Sequence, residues 1–100
     1  MEEKLTKLTN DFLEYLEIEK NCSKLTIRDY RHYLDIFIYW YIKTIPNKTL
    51  DKIDLSDIRR YRVFLSNKTD QKGSGLARVT QNYYVIALRS FLRFLIKNDY

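Results

Sequence analysis

The chain of 100 residues carries a formal net charge of +5, and 45% of its residues are hydrophobic and 15% aromatic. This length and composition suit one small folded domain, residues 1–100, and exclude a disordered chain. Two glycines and one proline are too few for a turn-rich β-protein, so an all-helical domain is favoured.

Cysteine, histidine and apolar runs narrow the class of protein further. One cysteine and one histidine exclude an internal disulfide and an ordinary zinc site, and we expect no metal and no cofactor. No apolar run approaches the roughly 18–20 residues that cross a bilayer. The acidic residues Glu2 and Glu3 also differ from the basic start of a signal peptide. We therefore expect a soluble, cytoplasmic protein with no membrane partner.

Apolar residues spaced three and four apart predict four helices. The first helix ends near a turn at residues 21–23. The second begins at Ser23 or Lys24 and ends before Pro46. The predicted core faces of these helices are Leu5, Leu8, Phe12, Tyr15 and Leu16, and then Ile27, Tyr30, Leu34, Phe37, Ile38 and Tyr41.

The second half of the chain is predicted to hold a short helix, a loop and a long helix. Asp54 is the expected N-cap of the short third helix. Residues 66–75 read as a polar loop, and the fourth helix runs to about Lys97. The predicted core faces are Leu55, Ile58, Tyr61 and Leu65 in the third helix, and Ala77, Tyr84, Ala87, Leu88, Phe91 and Leu95 in the fourth.

Positive charge is concentrated in the second half of the chain. Six acidic and three basic residues give residues 1–20 a net charge of −3, whereas residues 68–97 carry six basic residues against Asp70 alone. On a wheel of the fourth helix, basic and amide side chains fall opposite the core face: Arg78, Asn82, Arg89, Arg93 and Lys97. Any surface helix places arginine and lysine outward, but this stretch has no acidic residue from Lys72 to Asn98. Such a face repels itself unless an anion lies against it, so we expect a polyanionic partner.

Three apolar side chains lie beside that cationic face and are not explained by charge. Val79, Tyr83 and Ile86 follow each other at helical spacing. They are expected to contact either a neighbouring helix or the edge of a groove.

Several segments of the chain resemble a known family in their order and spacing. They are Ser23-x-x-Thr26-x-x-x-Tyr30, Leu50-x-x-Ile53-x-x-x-Asp57-Ile58 and Ala87-Leu88-Arg89-Ser90-Phe91. Together they resemble the N-terminal core-binding domain of tyrosine recombinases, which is the SAM-like helical domain of phage integrases and Xer-type recombinases. The resemblance covers nearly the whole chain. It implies an all-α fold, a compact four-helix SAM-like bundle.

The resemblance also implies a DNA-binding role and a set of contact residues. In this family the domain grips one side of a recombination site in double-stranded DNA, and a separate catalytic domain closes on the other side. The contacts carried over are Ser23, Lys24, Thr26 and Arg28 in the second helix and Arg78, Thr80, Asn82 and Arg89 in the fourth; the basic stretch adds Lys72 and Arg93. Hydroxyls and helix N-termini bind phosphate, and arginine and asparagine can read base edges with two hydrogen bonds.

Two positions depart from the family pattern. Ala77 stands where the family often has serine or threonine before the fourth helix, so only Ser74 is left as a capping side chain. Tyr83 stands where the family often has a basic residue, which removes one expected phosphate contact.

The catalytic residues of the family are missing from this chain. They comprise two arginines, a lysine, a His-x-x-Arg box and a nucleophilic tyrosine. The one histidine, His32, has no arginine three residues later and is expected at the surface or at a groove edge. Tyr30, Tyr61 and Tyr84 lie on predicted core faces. We therefore predict a non-catalytic domain, whose full-length parent would add its own catalytic domain and bind other recombinase protomers.

Two other functions are compatible with the sequence. A helical protein-interaction module could use the acidic first helix or the aromatic cluster Phe37, Tyr39, Trp40 and Tyr41 to bind a partner. A stand-alone DNA-binding regulator would share the DNA contacts without belonging to a recombinase. Salt dependence of binding separates DNA binding from protein pairing.

Overall fold

The computed structural model describes residues 2–68 and 76–98, and this part of the chain holds four α-helices and no strand. They are α1 (Glu2–Ile18), α2 (Lys24–Thr44), α3 (Leu55–Asn67) and α4 (Arg78–Lys97). A 3-10 turn at Leu50–Lys52, which the sequence did not predict, lies between α2 and α3. The predicted all-α, four-helix SAM-like bundle is confirmed. Within the described ranges, no helix is long and apolar enough to span a membrane.

The helix boundaries follow from local hydrogen bonds. The Ser23 hydroxyl accepts a bond from the Thr26 backbone N–H at 3.1 Å, which makes Ser23 the N-cap of α2. The Asp54 carboxylate accepts from the Asp57 N–H at 3.0 Å, and the Asp57 carboxylate accepts from the Asp54 N–H at 3.1 Å. This reciprocal pair is a capping box at the start of α3. The predicted N-cap Asp54 is therefore confirmed, and of the two candidate boundary residues of the second helix, Ser23 is the cap and Lys24 the first helical residue.

The core consists of two clusters, and both α2 and α4 contribute side chains to each of them. In one, side chains of α2, α3 and α4 pack together: Phe37, Trp40, Tyr41, Tyr61, Leu65, Tyr84, Val85 and Leu88. In the other, side chains of α1, α2 and α4 pack together: Leu8, Phe12, Leu13, Leu16, Leu34, Phe91 and Leu95. The first half of α4 thus packs against α3 and its second half against α1. The predicted core face of α4 is confirmed, except at Ala77.

Two sequence predictions about exposure are wrong. Ala77 is exposed because it is the N-cap residue of α4 and lies outside the helix, where no side-chain capping bond forms. Leu55 is 55% exposed because α3 meets the core only after its first residue, with Asp57 in the first buried position.

The aromatic cluster considered for partner binding is mostly part of the core. Phe37 and Tyr41 are buried, as their place on the predicted core face requires, and Trp40 is buried with them. Tyr39 is 53% exposed and is the one member of the cluster that a partner could contact.

The Tyr61 ring lies in the middle of the first cluster, and its hydroxyl is buried there without a hydrogen bond to any described residue. Its centroid is 5.3 Å from those of Phe37 and Trp40, and the side chain is fully buried. The hydroxyl oxygen has no hydrogen-bond partner among the described residues. Burial raises the pKa of the Tyr61 hydroxyl far above its usual value, and the nearby Tyr84 adds a smaller effect in the same direction. The ring therefore stabilises the core while its hydroxyl costs free energy.

We expect Tyr61→Phe to raise the free energy of unfolding by about 1 kcal/mol, because it removes an unpaired buried hydroxyl and keeps the ring. Tyr41→Phe is the matched control, since the buried Tyr41 hydroxyl donates to the Lys48 carbonyl oxygen. That variant should lower the free energy of unfolding by about the same amount. Urea denaturation of both variants gives the comparison. Equal destabilisation by the two substitutions would contradict the assignment.

Candidate nucleic-acid interface

The predicted contact residues fall into two groups on the surface. One group is at the start of α2 and holds Ser23, Lys24, Thr26 and Arg28. The other lies along α4 and holds Arg78, Thr80, Asn82, Arg89 and Arg93. Lys72 and Ser74 lie outside the described residues. The geometry therefore bears on nine of the ten predicted contacts.

The α4 group forms a row of cations that lack an acidic partner among the described residues. Arg78, Arg89 and Arg93 are exposed, and no acidic side chain lies within ion-pair distance of them in residues 2–68 and 76–98. The rise of an α-helix puts Arg78 and Arg93 about 22 Å apart along the axis. That span exceeds the roughly 12 Å width of the major groove, so the row can reach across a groove to phosphates on its edges. Thr80 is half-buried and contributes less to this face.

The α2 group is less strongly cationic than the sequence suggests. Ser23 and Thr26 use their hydroxyls in the cap, with the Ser23 hydroxyl 3.1 Å from that of Thr26. The Arg28 guanidinium is 3.2 Å from the Asp29 carboxylate, which partly neutralises it. Lys24 is exposed. Because Asp29 is paired with Arg28, an anion at the start of α2 would be bound mainly by the N-terminal backbone N–H groups of the helix and by Lys24.

Ring contacts join α2 to the first half of α4. Tyr84 of α4 meets His32 and Tyr33 of α2, with ring centroids 5.9 and 4.6 Å apart. Farther along α4, Phe91 packs in the same cluster as Leu34 and Ile27 of α2. These contacts hold the helix that carries the α4 group against the helix that begins at the α2 group.

A fourth cation, from α3, and an apolar stripe extend the α4 face. Arg62 of α3 donates from Nη1 to the Asn82 Oδ1 at 3.2 Å, so α3 adds a guanidinium beside α4. Sequence reasoning missed Arg62 because only the packing of α3 on α4 brings it there. Val79, Tyr83 and Ile86 are 60%, 52% and 51% exposed, so none of them is buried against a neighbouring helix. At least half of each side chain is left open to a ligand, in line with the second role expected for the stripe.

The candidate catalytic side chains are not assembled into a site. His32 is exposed, and its Nε2 lies 3.1 Å from the Tyr84 hydroxyl. Tyr61 and Tyr84 are buried and Tyr30 is half-buried, as the sequence predicts. Burial, helped by Tyr33, raises the pKa of Tyr84 above its usual value. Within the part of the chain that is described, no three histidine, cysteine or acidic side chains cluster in a way that could hold a metal.

Known proteins resemble the chain over most of its length. It is 35% identical over 89 residues to tyrosine recombinase XerC of Oceanobacillus iheyensis, which covers 89% of this chain and 27% of that protein. It is 34% identical over 93 residues to tyrosine recombinase XerC of Bacillus pumilus, covering 93% and 28%. It is 31% identical over 99 residues to tyrosine recombinase XerD of Haemophilus ducreyi, covering 97% and 30%. The chain thus spans less than a third of the length of these relatives.

Most of the chain matches the sequence pattern of one protein family. No solved structure is significantly similar to the chain. The phage integrase N-terminal SAM-like domain, in contrast, matches residues 9–99, which include most of α1 and all of α2, α3 and α4. The chain therefore belongs to the phage integrase N-terminal SAM-like domain family.

Proposed function

We propose that this chain is the core-binding domain of a tyrosine recombinase and that it binds one face of duplex DNA through α4. The observation that carries the proposal is the row formed by Arg78, Arg89 and Arg93, three exposed guanidinium groups with no acidic partner among the described residues. Membership of the family supports it, because relatives of this chain are named tyrosine recombinases.

The row suits a phosphate backbone physically. Neutralising phosphates with arginine releases condensed counterions, which favours binding and makes it sensitive to salt. The start of α2 supplies backbone N–H groups and the exposed Lys24 as a second group of anion-binding atoms. Arginine at a groove can also read guanine, so some contacts can carry sequence preference.

We also propose that this domain by itself does not cleave DNA. No His-x-x-Arg sequence occurs in the 100 residues, and the core tyrosines Tyr61 and Tyr84 cannot reach a phosphate while buried. In a full-length parent, a catalytic domain and other protomers would complete the active site on DNA. Incubation with a nicked suicide substrate should give no denaturation-resistant adduct. A tyrosine-linked adduct formed by this chain alone would contradict the proposal.

The salt dependence of DNA binding tests the proposed interface. If three arginines neutralise three phosphates, the slope of log affinity against log salt is about −2.7, and affinity falls about fortyfold between roughly 50 and 200 mM salt. Affinity at physiological salt should be micromolar or weaker. Fluorescence anisotropy with a labelled duplex measures both quantities.

A pair of substitutions localises the contact. Arg78→Ala should flatten the salt slope by about one unit if Arg78 touches phosphate. Lys4→Ala, which removes one exposed positive charge from α1, is the matched control and should leave the slope unchanged. Absence of binding at low salt would refute DNA binding. Binding that does not weaken as salt rises would favour a protein-interaction module instead.

A further inference from the structure

We infer that Arg62 fixes the side-chain amide of Asn82 so that Asn82 presents its NH2 group to DNA. Asn82 then contacts acceptors, namely phosphate oxygens, guanine O6 and N7 or thymine O4, in preference to pairing with adenine through both of its amide atoms. The inference rests on the proposed DNA-binding role of α4. It concerns which atoms this position recognises.

The contact joins two helices at the centre of the cationic row. Arg62 lies in α3 and Asn82 in α4, and their side chains are both half-buried. The Arg62 Nη1 is 3.2 Å from the Asn82 Oδ1. Asn82 follows Arg78 by four residues and precedes Arg89 by seven, so all three lie on one side of α4. A ligand that meets both arginines must therefore pass over Asn82.

The orientation of the amide follows from the chemistry of the pair. A guanidinium has five N–H donors and no acceptor, so the asparagine atom that faces it has to be the carbonyl oxygen. The two hydrogens of the Asn82 NH2 group are then on the other side of the amide, away from Arg62. Arg62 in this way sets the direction of Asn82 without touching the ligand itself, and it is a positioning residue.

The consequence for recognition is a preference for acceptors. Asparagine reads adenine by accepting from N6 with its carbonyl oxygen while donating to N7. Here the carbonyl oxygen already accepts from a charged donor with one of its two lone pairs, which makes it a weaker acceptor for adenine N6. An NH2 group pointing outward finds acceptors on phosphate and on the major-groove edges of guanine and thymine.

The arrangement can first be tested in the free protein. Arg62→Met keeps a long side chain and removes every donor. It should shift the Asn82 side-chain NH2 resonances in a two-dimensional 1H–15N spectrum recorded without DNA. Arg60→Met is the control, because Arg60 is exposed and two residues from Arg62, hence about 200° around α3. Unchanged Asn82 resonances in Arg62→Met would overturn the inference whether or not the chain binds DNA.

A double-mutant cycle on labelled duplex DNA then separates positioning from direct contact. Asn82→Asp keeps an acceptor for Arg62 but replaces the outward NH2 group with a carboxylate oxygen, and affinity should fall by at least about tenfold. Arg62→Met should also weaken binding in the unmodified chain. In an Asn82→Ala background it should have little further effect, because the group that it positions is gone.

Each outcome bears on a different claim. Arg62→Met could weaken DNA binding equally in the unmodified chain and in the Asn82→Ala background, and also flatten the salt slope. Arg62 would then be a phosphate contact, which would overturn this inference but leave the proposed function standing. Tighter binding by Asn82→Asp would overturn it as well. An unmodified chain that shows no DNA binding would overturn the proposed function and this inference with it.

Discussion

Leu88→Ala is expected to lower the free energy of unfolding by about 2–5 kcal/mol. Leu88 has 0% exposure and packs in the cluster that α2, α3 and α4 share. Removing three carbon atoms there loses buried apolar surface and leaves a cavity that the helices can close only in part. Urea denaturation measures the loss. DNA affinity per folded molecule should be unchanged, because Leu88 faces away from the proposed interface.

The next residue along α4 provides the matched comparison. Arg89 is exposed and lies about 100° around the helix from Leu88. Arg89→Ala should leave stability within about 0.5 kcal/mol and weaken DNA binding by roughly 1–3 kcal/mol if Arg89 touches a base edge. Two neighbouring residues thus separate folding from binding. An Arg89 variant that unfolds, or a Leu88 variant that folds normally and loses DNA binding, would contradict the orientation of α4.

Asp57→Ala is expected to destabilise the domain by about 2–4 kcal/mol, since it removes a helix cap and a charge-assisted hydrogen bond together. Asp57 is buried, and its carboxylate accepts from the Asp54 N–H and from the Lys48 Nζ, the latter at 2.5 Å. The pair connects the segment after α2 to the start of α3. Asp35→Ala, which removes an exposed carboxylate from α2, is the control and should change stability by less than about 0.5 kcal/mol.

The same carboxylate predicts a dependence on pH. Burial alone would raise the pKa of Asp57, but the hydrogen bonds from Lys48 and from the Asp54 backbone outweigh it, and the pKa is lowered from its usual value. A pKa lower in the folded than in the unfolded chain stabilises the fold above about pH 4, and this contribution is lost as the pH falls through the folded-state pKa. Urea denaturation at a series of acidic pH values should therefore show a smaller fall for Asp57→Ala than for the unmodified chain. Parallel curves would contradict the prediction.

The features that could be predicted from the sequence are those encoded within a few residues. Ser23 and Asp54 cap the helices that follow them because the capping bond spans only three residues. The α4 core face is likewise readable, since helical spacing alone places Leu88 and Phe91 on one side.

Other features depend on how the helices pack and could not be predicted. Arg62 and Asn82 are 20 residues apart in the chain, and only the contact of α3 with α4 joins them. Lys48 forms an ion pair with Asp57 because the segment between α2 and α3 folds back against the start of α3. Leu55 has the spacing of a core residue, but α3 approaches the core only beyond it. Spacing identifies a face of a helix, whereas the neighbours of that face are set by the tertiary structure.

α2 and α4 each place side chains in both core clusters, and this bears on how the domain moves. Because α4 can leave its place only if both clusters lose contacts, it should open only when most of the domain unfolds, and its amides should exchange slowly with solvent. The arginines of the proposed interface therefore stand on one of the two helices that are anchored in both clusters. Their backbone is already ordered before DNA arrives, so little conformational entropy is lost on binding beyond that of the side chains.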